Sequence, residues 1–289
     1  MFQLDRILVP TDFSNNSLAA IGQVGELARR FHSHVTLLYV DEMLPLAGAL
    51  GLGITSNEAL RAAHFAARRK QLAEFGAVEL NDVPVKRVVC SGDAAKVIVE
   101  RAREEQSNLI LMPARGGGVF RRFLLGSVTA KVLHDAECPV WTGAHIPEPV
   151  NRAAEIRSIL CAVDFGRQTG NTIDWAAGLA SALDAKLAVV HAVLEMPPNL
   201  PDRYAFQWHE ESHSGAYERL RQLLLDQDVT AEALIVSDGD VPKSLAAAVQ
   251  REGADLLVIG RSCAEGPAGR PGSQTFPIVC GAECPVVSV

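Results

Sequence analysis

The amino-acid sequence contains two copies of one pattern, and this duplication constrains the fold more than any other feature. Each copy opens with an apolar run that ends in Asp-Phe, at Asp12 and at Asp164. Each copy closes with Ala-Glu-Cys-Pro-Val, around Cys138 and Cys284. Landmarks that recur in the same order at a nearly constant offset indicate a repeated structural unit. We therefore predict two domains of one fold, 1–146 and 154–289, joined by a linker rich in Gly, Pro and Asn.

Short apolar runs alternate with amphipathic stretches in the first copy, and the second copy repeats the series. The apolar runs predict strands at Arg6–Val9, Val35–Val40, Val85–Cys90, Leu109–Met112 and Val140–Thr142. The amphipathic stretches predict helices at Asn15–Phe31, Asn57–Phe75, Ala94–Gln106 and Val128–Asp135. Strands that are apolar throughout and joined by helices are typical of a parallel sheet covered on both faces. The fold class predicted is therefore α/β, with two parallel-sheet domains in tandem.

A glycine-rich segment follows the fourth predicted strand. It contains Gly116, Gly117 and Gly118, and it ends at Gly126-Ser127, where a helix is predicted to begin. Glycines let backbone N–H groups approach phosphate oxygens closely, and a helix start attracts anions. The alternative is a mobile loop followed by an ordinary helix cap. The sequence has no G-x-x-x-x-G-K-[ST], and no G-x-G-x-x-G follows the first strand, which argues against P-loop NTPases and classical dehydrogenases.

The position of this segment suggests a ligand site. In open parallel sheets, ligands bind beyond the carboxyl ends of strands, where the strand order reverses. Asp12 follows the first strand and Met112 ends the fourth, so the two would share a site if these strands are neighbours. For Asp12, a helix cap before Asn15–Phe31 is an equally good interpretation.

An ordered set of short motifs resembles the universal stress protein family. The set comprises Pro10-Thr11-Asp12-Phe13-Ser14, Leu37-Leu38-Tyr39-Val40, Ser91-Gly92, Leu124-Leu125-Gly126-Ser127-Val128-Thr129 and Glu137-Cys138-Pro139-Val140. The resemblance extends over both halves of the chain. It implies flavodoxin-like (adenine nucleotide alpha hydrolase-like) domains, a stress-response or regulatory function, ATP as ligand with or without Mg²⁺, and an internal pseudo-dimer. It leaves open whether two chains associate further.

The resemblance also implies a set of ligand-binding residues in the first copy. The family's ATP pattern is G-x-x-G, nine residues, then G-[ST]; it falls on Pro113, Gly116, Gly126 and Ser127, with proline in place of the first glycine. Asp12 would lie near the ribose or the metal and phosphates. The cofactor-binding residues implied are Pro10, Thr11, Asp12, Val40, Met112, Arg115, Gly116, Gly126, Ser127, Val128 and Thr129.

The second copy departs further from the family pattern. After Gly260, the loop before Gly272-Ser273 gives no register that fits the motif, and Glu265 would repel phosphate. Pro277 would fall one turn into the following helix and disturb its backbone. We expect Asp164 to be structural and the second copy to be a degenerate partner that packs against the first.

Composition limits the partners and the location. A net charge of −7 and a pI near 5.6 argue against nucleic acid or an anionic membrane surface as the main partner. No apolar run reaches the roughly 20 residues of a membrane span, and we predict a cytoplasmic protein. The six cysteines lack a CxxC pair, so reduced thiols are expected.

Two other functions remain open. Because Pro113 removes a backbone donor, the protein could be an interaction module that has lost ATP. His209-Glu210-Glu211-Ser212-His213 matches H-E-x-x-H, the pattern of a zinc-dependent hydrolase, but a third ligand is missing and the segment is polar. The basic run Arg68-Arg69-Lys70 is interpreted as a solvated helix face. No residues suggest a catalytic base or nucleophile, so we expect no enzyme activity beyond slow ATP hydrolysis.

Overall fold

The computed structural model describes residues 2–42, 58–113, 125–143, 156–193, 205–236, 240–261 and 274–289. Within it the chain divides into two compact units, one built mainly from Gln3–Gly143 and the other mainly from Glu155–Val289. In the first unit the strands are Arg6–Thr11 (β1), His34–Asp41 (β2), Val85–Ser91 (β3), Leu109–Met112 (β4) and Val140–Thr142 (β5). Its helices are Asn15–Phe31 (α1), Glu58–Glu74 (α2), Ala94–Glu104 (α3) and Ser127–Asp135 (α4).

The second unit repeats the same order of elements. Its strands are Ser158–Val163 (β6), Lys186–Ala192 (β7), Glu232–Val236 (β8), Leu256–Ile259 (β9) and Val286–Ser288 (β10). Its helices are Thr169–Leu183 (α5), Ala205–Asp226 (α6), Val241–Glu252 (α7) and Thr275–Gly281 (α8).

Each unit has a parallel sheet whose strand order reverses at its first strand. The order is β3-β2-β1-β4-β5 in the first unit and β8-β7-β6-β9-β10 in the second. In the first unit β1 pairs with β2 from Arg6↔His34 to Thr11↔Tyr39, and on its other side with β4 at Ile7↔Leu109 and Leu8↔Ile110. The predicted fold class, two parallel-sheet α/β domains in tandem, is confirmed.

The first helix shows how the local sequence fixes these elements. Ser14 precedes α1 in an extended conformation, and its hydroxyl accepts a hydrogen bond from the Ser17 N–H. Such N-caps stabilise a helix by about 1 kcal/mol. The buried face of α1 includes Ile21, Val24 and Leu27, which pack on the sheet. Burial of each large aliphatic side chain contributes about 1.5–3 kcal/mol, so this face holds α1 in place.

The last helices of the two units differ in length, and Pro277 lies nearer the start of its helix than predicted. Helix α4 begins at Ser127 and has nine residues, whereas α8 begins at Thr275 and has seven. Pro277 is therefore in the first turn of α8 rather than one turn inside it. First-turn N–H groups have no partner within a helix, so proline is tolerated there.

Candidate functional site

The ends of β1 and β4 lie side by side at the carboxyl edge of the first sheet. The two strands are parallel neighbours through Ile7↔Leu109 and Leu8↔Ile110. The residues that leave these strands, Asp12 and Pro113, therefore emerge at the same edge. This is the adjacency that the sequence could not establish, and it is the point where the strand order reverses.

Asp12 is held by the start of α1. Its Oδ1 accepts hydrogen bonds from the Ser17 hydroxyl at 2.6 Å and from the Ser14 N–H at 3.0 Å. Its own N–H donates to the Ser17 Oγ at 3.3 Å. Ser17 is buried, whereas Asp12 is exposed. The carboxylate is thus oriented from beneath by a buried hydroxyl.

Phe13 turns the chain directly after Asp12. Its φ of 62° lies in the left-handed region, which costs a residue with a side chain roughly 1–2 kcal/mol. The turn is stabilised by a hydrogen bond from the Phe13 N–H to the Thr11 Oγ1 at 3.1 Å. The Phe13 ring packs on Tyr39 with centroids 4.5 Å apart, and edge-to-face on Phe75 at 5.3 Å. Aromatic packing of this kind supplies a compensating attraction.

The start of α4 completes the site. Gly126 is the N-cap residue and provides no side-chain cap, while Ser127 is exposed. Within the first turn, the buried Thr129 donates from its Oγ1 to the carbonyl oxygen of Pro113 at 3.2 Å. This bond ties α4 to the chain that leaves β4. The first-turn N–H groups of a helix carry partial positive charge, so the arrangement suits an anion.

The structure brings most of the predicted site residues to one sheet edge. Pro10 and Thr11 end β1, Met112 ends β4, and both Thr11 and Met112 are buried. Val40 is half-buried near the end of β2. Gly126, Ser127, Val128 and Thr129 form the cap and first turn of α4. Arg115 and Gly116 lie outside the described residues.

The corresponding edge of the second unit holds its aspartate through equivalent hydrogen bonds, but the chain leaves β9 differently. Asp164 Oδ1 accepts from the Gly166 N–H at 2.8 Å and from the Thr169 hydroxyl at 3.4 Å. At the end of β9, a Cβ on Gly260 would lie 2.9 Å from the Thr172 Oγ1, closer than such contacts normally occur. The predicted degenerate loop, with Glu265 and Gly272-Ser273, lies outside the described residues.

Sequence reasoning missed a charged cluster beneath α2. The side chain of Asp41 at the end of β2 is only 1% exposed, and its Oδ2 lies 2.5 Å from His64 Nε2. Arg68 Nε lies 3.9 Å from the same oxygen, so the half-buried Arg68 is an exception to the predicted solvated face, on which Arg69 and Lys70 are exposed. The available signal was an aspartate at the end of an apolar strand, where its burial would require cationic partners.

The H-E-x-x-H segment lies in α6. Glu210 is exposed and His213 is half-buried. Within the described parts of the chain, no group of three or more His, Cys, Asp and Glu side chains is arranged to hold a metal ion. The five cysteines described there are all free thiols. No described helix combines the length and apolar character needed to cross a membrane.

Comparison with known proteins identifies the family. The model of the universal stress protein family matches residues 3–142 and again 155–289. The chain belongs to the universal stress protein family. A curated universal stress protein of Methanocaldococcus jannaschii is 32% identical over 139 residues, which cover 47% of this chain and 79% of that protein.

Solved structures match the whole tandem. A universal stress protein from Archaeoglobus fulgidus superposes with a TM-score of 0.71 at 19% identity and covers 99% of this chain and 96% of its own. A protein of unknown function from Pseudomonas aeruginosa gives a TM-score of 0.66 at 18% identity and covers 99% and 92%. At this identity the two structures establish the fold, which is the one that the universal stress protein resemblance implied.

Proposed function

We propose that this universal stress protein binds one adenine nucleotide, ATP with or without Mg²⁺, in its first domain. The observation that carries the proposal is the adjacency of β1 and β4, which brings Asp12 and the uncapped start of α4 to one sheet edge. A carboxylate beside a helix N-terminus suits a ligand with both hydroxyl donors and anionic oxygens. Nucleotides combine these groups.

Each part of the edge has a role in this proposal. The backbone N–H groups of Ser127 and Val128 donate to phosphate oxygens, and the Ser127 hydroxyl adds a further donor. Asp12 accepts from ribose hydroxyls or coordinates the magnesium ion, since carboxylates serve both purposes. The apolar side chains of Val40 and Met112 flank the adenine, together with Pro10.

In this proposal, Pro113 removes one backbone donor from the site but does not prevent nucleotide binding. Proline has no N–H, so it gives no donor to the ligand at the first motif position. Its carbonyl oxygen instead receives the Thr129 hydroxyl, which fixes α4 relative to β4. The phosphate donors are therefore assigned to α4 and to the motif positions after Pro113, Gly116 among them.

The second domain is proposed to bind no nucleotide. Helix α8 is shorter than α4, and Thr172 packs against Gly260 where the chain leaves β9. Asp164 is proposed to serve as a turn residue, bonded to the Gly166 N–H. The second domain then acts as the internal partner of the first. We further propose that nucleotide binding regulates recognition of a protein partner, with at most slow hydrolysis.

Calorimetric titration of ATP and Mg²⁺ into nucleotide-free protein tests this function. Asp12→Asn keeps the acceptor oxygen for Ser17 and Ser14 but removes the charge, and Asp164→Asn is the matched control in the second domain. We expect one ATP site per chain. Asp12→Asn should bind ATP about tenfold more weakly or worse, a loss of at least about 1.4 kcal/mol of binding free energy. Asp164→Asn should bind ATP with unchanged affinity. Two sites, or an effect of Asp164→Asn alone, would contradict the assignment. Absence of heat at millimolar ATP would favour the interaction module.

A further inference from the structure

A cavity of about 630 Å³ lies at the amino ends of β1, β2 and β3 in the first domain. Its wall is formed by the first residues of these strands and by two residues that follow α3, Glu105 and Ser107. The volume is within the range of small-molecule sites, about 300–1,000 Å³. Because the six residues of β1 span roughly 20 Å, the cavity is remote from Asp12 and from the proposed nucleotide site.

The strand register gives this cavity a set of polar side chains on one face of the sheet. Arg6 of β1 pairs with His34 of β2, and Thr36 of β2 pairs with Lys86 of β3. Paired residues of neighbouring strands share a face, and so do residues two apart along one strand. All four side chains are therefore on the same face, and three of the four are basic.

The acidic side chain that reaches this face, Glu105, is already engaged. Its two carboxylate oxygens accept from the Thr36 hydroxyl at 2.6 Å and from the Lys86 ammonium at 2.8 Å. Asp5 comes directly before Arg6, so the alternation of side chains places Asp5 on the opposite face. Among the described residues of the wall, this face therefore presents no unengaged carboxylate.

The end of α3 is offset in the same way. The last carbonyl groups of a helix carry partial negative charge, which favours cations. The carbonyl oxygens of Ala102 and Arg103 accept from backbone N–H groups of the turn that follows α3. The carbonyl oxygen of Gln106 accepts from Arg6 Nε at 2.9 Å. This bond also fixes the guanidinium of Arg6 at the cavity.

The polar groups of the wall that have no partner can donate hydrogen bonds. Neither the terminal nitrogens of Arg6 nor the imidazole of His34 contacts a polar group of any described residue. Ser107 is 8% exposed, and its hydroxyl makes no hydrogen bond within the described parts of the chain. Buried hydroxyls are nearly always bonded, so one without a partner at a cavity wall points to a bound group. An arginine fork beside a hydroxyl suits a carboxylate.

We propose that this cavity binds a small organic acid. Its carboxylate pairs with Arg6 and accepts from the Ser107 hydroxyl, with His34 as a further donor. Its apolar part lies against Pro84 and Val85, which are also in the wall. The site does not depend on the proposed nucleotide function, because it uses different residues at the opposite edge of the sheet.

The second domain has different residues at the equivalent positions. Its register places Ser158 of β6 opposite Lys186, where the first domain has Arg6 opposite His34. Ala188 pairs with Glu232 of β8, so a carboxylate takes the place of the Lys86 ammonium. A second carboxylate there would repel an organic acid. The site is therefore assigned to the first domain alone.

Nuclear magnetic resonance titration of isotope-labelled protein with hexanoate tests the proposal. Saturable shifts are expected at the amides of Arg6, Lys86 and Ser107, and none at Asp12. Pentylammonium, which has a similar chain and the opposite charge, should leave all of these amides unchanged. Shifts of the same amides by pentylammonium, or their absence with hexanoate, would overturn the proposal. Shifts with inorganic phosphate but not with hexanoate would show a simple anion site instead of one for an organic acid.

Variants then test the assigned contacts. Arg6→Gln removes the charge and the fork and should weaken hexanoate binding about tenfold, whereas Arg6→Lys, which keeps the charge, should weaken it less. Glu105→Gln removes the negative charge beside Lys86 and should strengthen binding. Arg157→Gln, which removes an exposed arginine before β6, is the matched control and should bind as the original protein does. Unchanged affinity in Arg6→Gln, with the amide spectrum outside the cavity preserved, would refute the pairing with Arg6.

Discussion

The Ser17 hydroxyl donates a hydrogen bond of 2.6 Å to Asp12 Oδ1. This bond links the buried face of α1 to the exposed carboxylate at the end of β1, and it is the shortest of the hydrogen bonds described for Asp12. Ser17 is 1% exposed. Because the donor is part of a packed helix, the carboxylate cannot rotate without breaking a bond made in the interior. The position of Asp12 is therefore determined by the fold of α1 and precedes any ligand.

Replacement of this donor should weaken both the fold and the site. Ser17→Ala removes the bond and is expected to lower the free energy of unfolding by about 1.5–3 kcal/mol, the usual contribution of a hydrogen bond to a charged group. Urea unfolding measures this loss. Thr169→Val is the control in the second domain, where the equivalent bond to Asp164 is 3.4 Å long. A loss in Thr169→Val as large as in Ser17→Ala would contradict the special role of Ser17.

The hydroxyl of Thr129 should stabilise the first turn of α4. Thr129→Val preserves the shape but leaves the Pro113 carbonyl without this donor, at an expected cost of about 1 kcal/mol. Hydrogen exchange should then be faster at the amides of α4 and unchanged in α1. Thr129→Ser keeps the hydroxyl and should restore protection. Equal exchange in the two variants would show that packing rather than the hydrogen bond holds α4.

Local signals in the sequence were sufficient for most helices and strands. Helix α1 was predicted with the bounds observed, because Ser14 caps it and its apolar residues recur at helical spacing. Strand β1 continues two residues beyond the prediction, through Pro10 to Thr11. Proline is accommodated there because the pairing of β1 with β4 covers only Ile7 and Leu8. The end of a strand thus depends on its neighbour, which local sequence does not specify.

The candidate site was only partly predictable for the same reason. Asp12 and the Gly126-Ser127 step could be identified from motifs, but their proximity depends on which strands are neighbours in the sheet. The contact between Arg68 and Asp41 joins residues distant in sequence, and α2 is so exposed that Leu72 is its only buried residue among those described. A helix with few buried residues gives little periodic signal, so its charged contacts could not be deduced.

Acid should destabilise the first domain through Glu105. Burial raises the pKa of Glu105, but hydrogen bonds from Lys86 at 2.8 Å and from the Thr36 hydroxyl at 2.6 Å outweigh burial, and the net pKa is lowered. A carboxyl whose pKa is lower in the folded state stabilises the fold above its unfolded pKa, and this contribution is lost as the pH falls through the folded pKa.

Glu105→Gln should therefore remove a pH-dependent part of the stability. We expect the free energy of unfolding to fall by about 1.5–3 kcal/mol near pH 7, in line with a hydrogen bond to a charged group. The difference from the original protein should become smaller as the pH falls below about 4. Urea unfolding between pH 3 and pH 7 measures both. Thr36→Val, which retains the Lys86 ion pair, should show a smaller loss. If the free energies of unfolding of Glu105→Gln and the original protein differed by a constant amount over this pH range, the role of ionised Glu105 would be contradicted.

The cysteines of the two Ala-Glu-Cys-Pro-Val motifs should differ in reactivity, although their sequences are the same. Cys284 is buried, and burial raises its pKa to about 12; Cys138 is half-buried. Cys161 is also buried, and burial likewise raises its pKa to about 12. Alkylation requires the thiolate. With iodoacetamide at pH 8, Cys138 should therefore react about tenfold faster than Cys284 or more, and Cys161 should remain unlabelled until the protein unfolds.

Mass spectrometry of tryptic peptides over a time course measures these rates, with urea-unfolded protein as the control in which all three thiols react alike. Because reaction of a thiol with a pKa near 12 requires exposure of the thiol as well as its ionisation, labelling of Cys161 reports opening of β6. Rapid labelling of Cys284 in the folded protein, at the rate of Cys138, would mean that the end of the second domain opens locally and that the burial of its last strand is not maintained in solution.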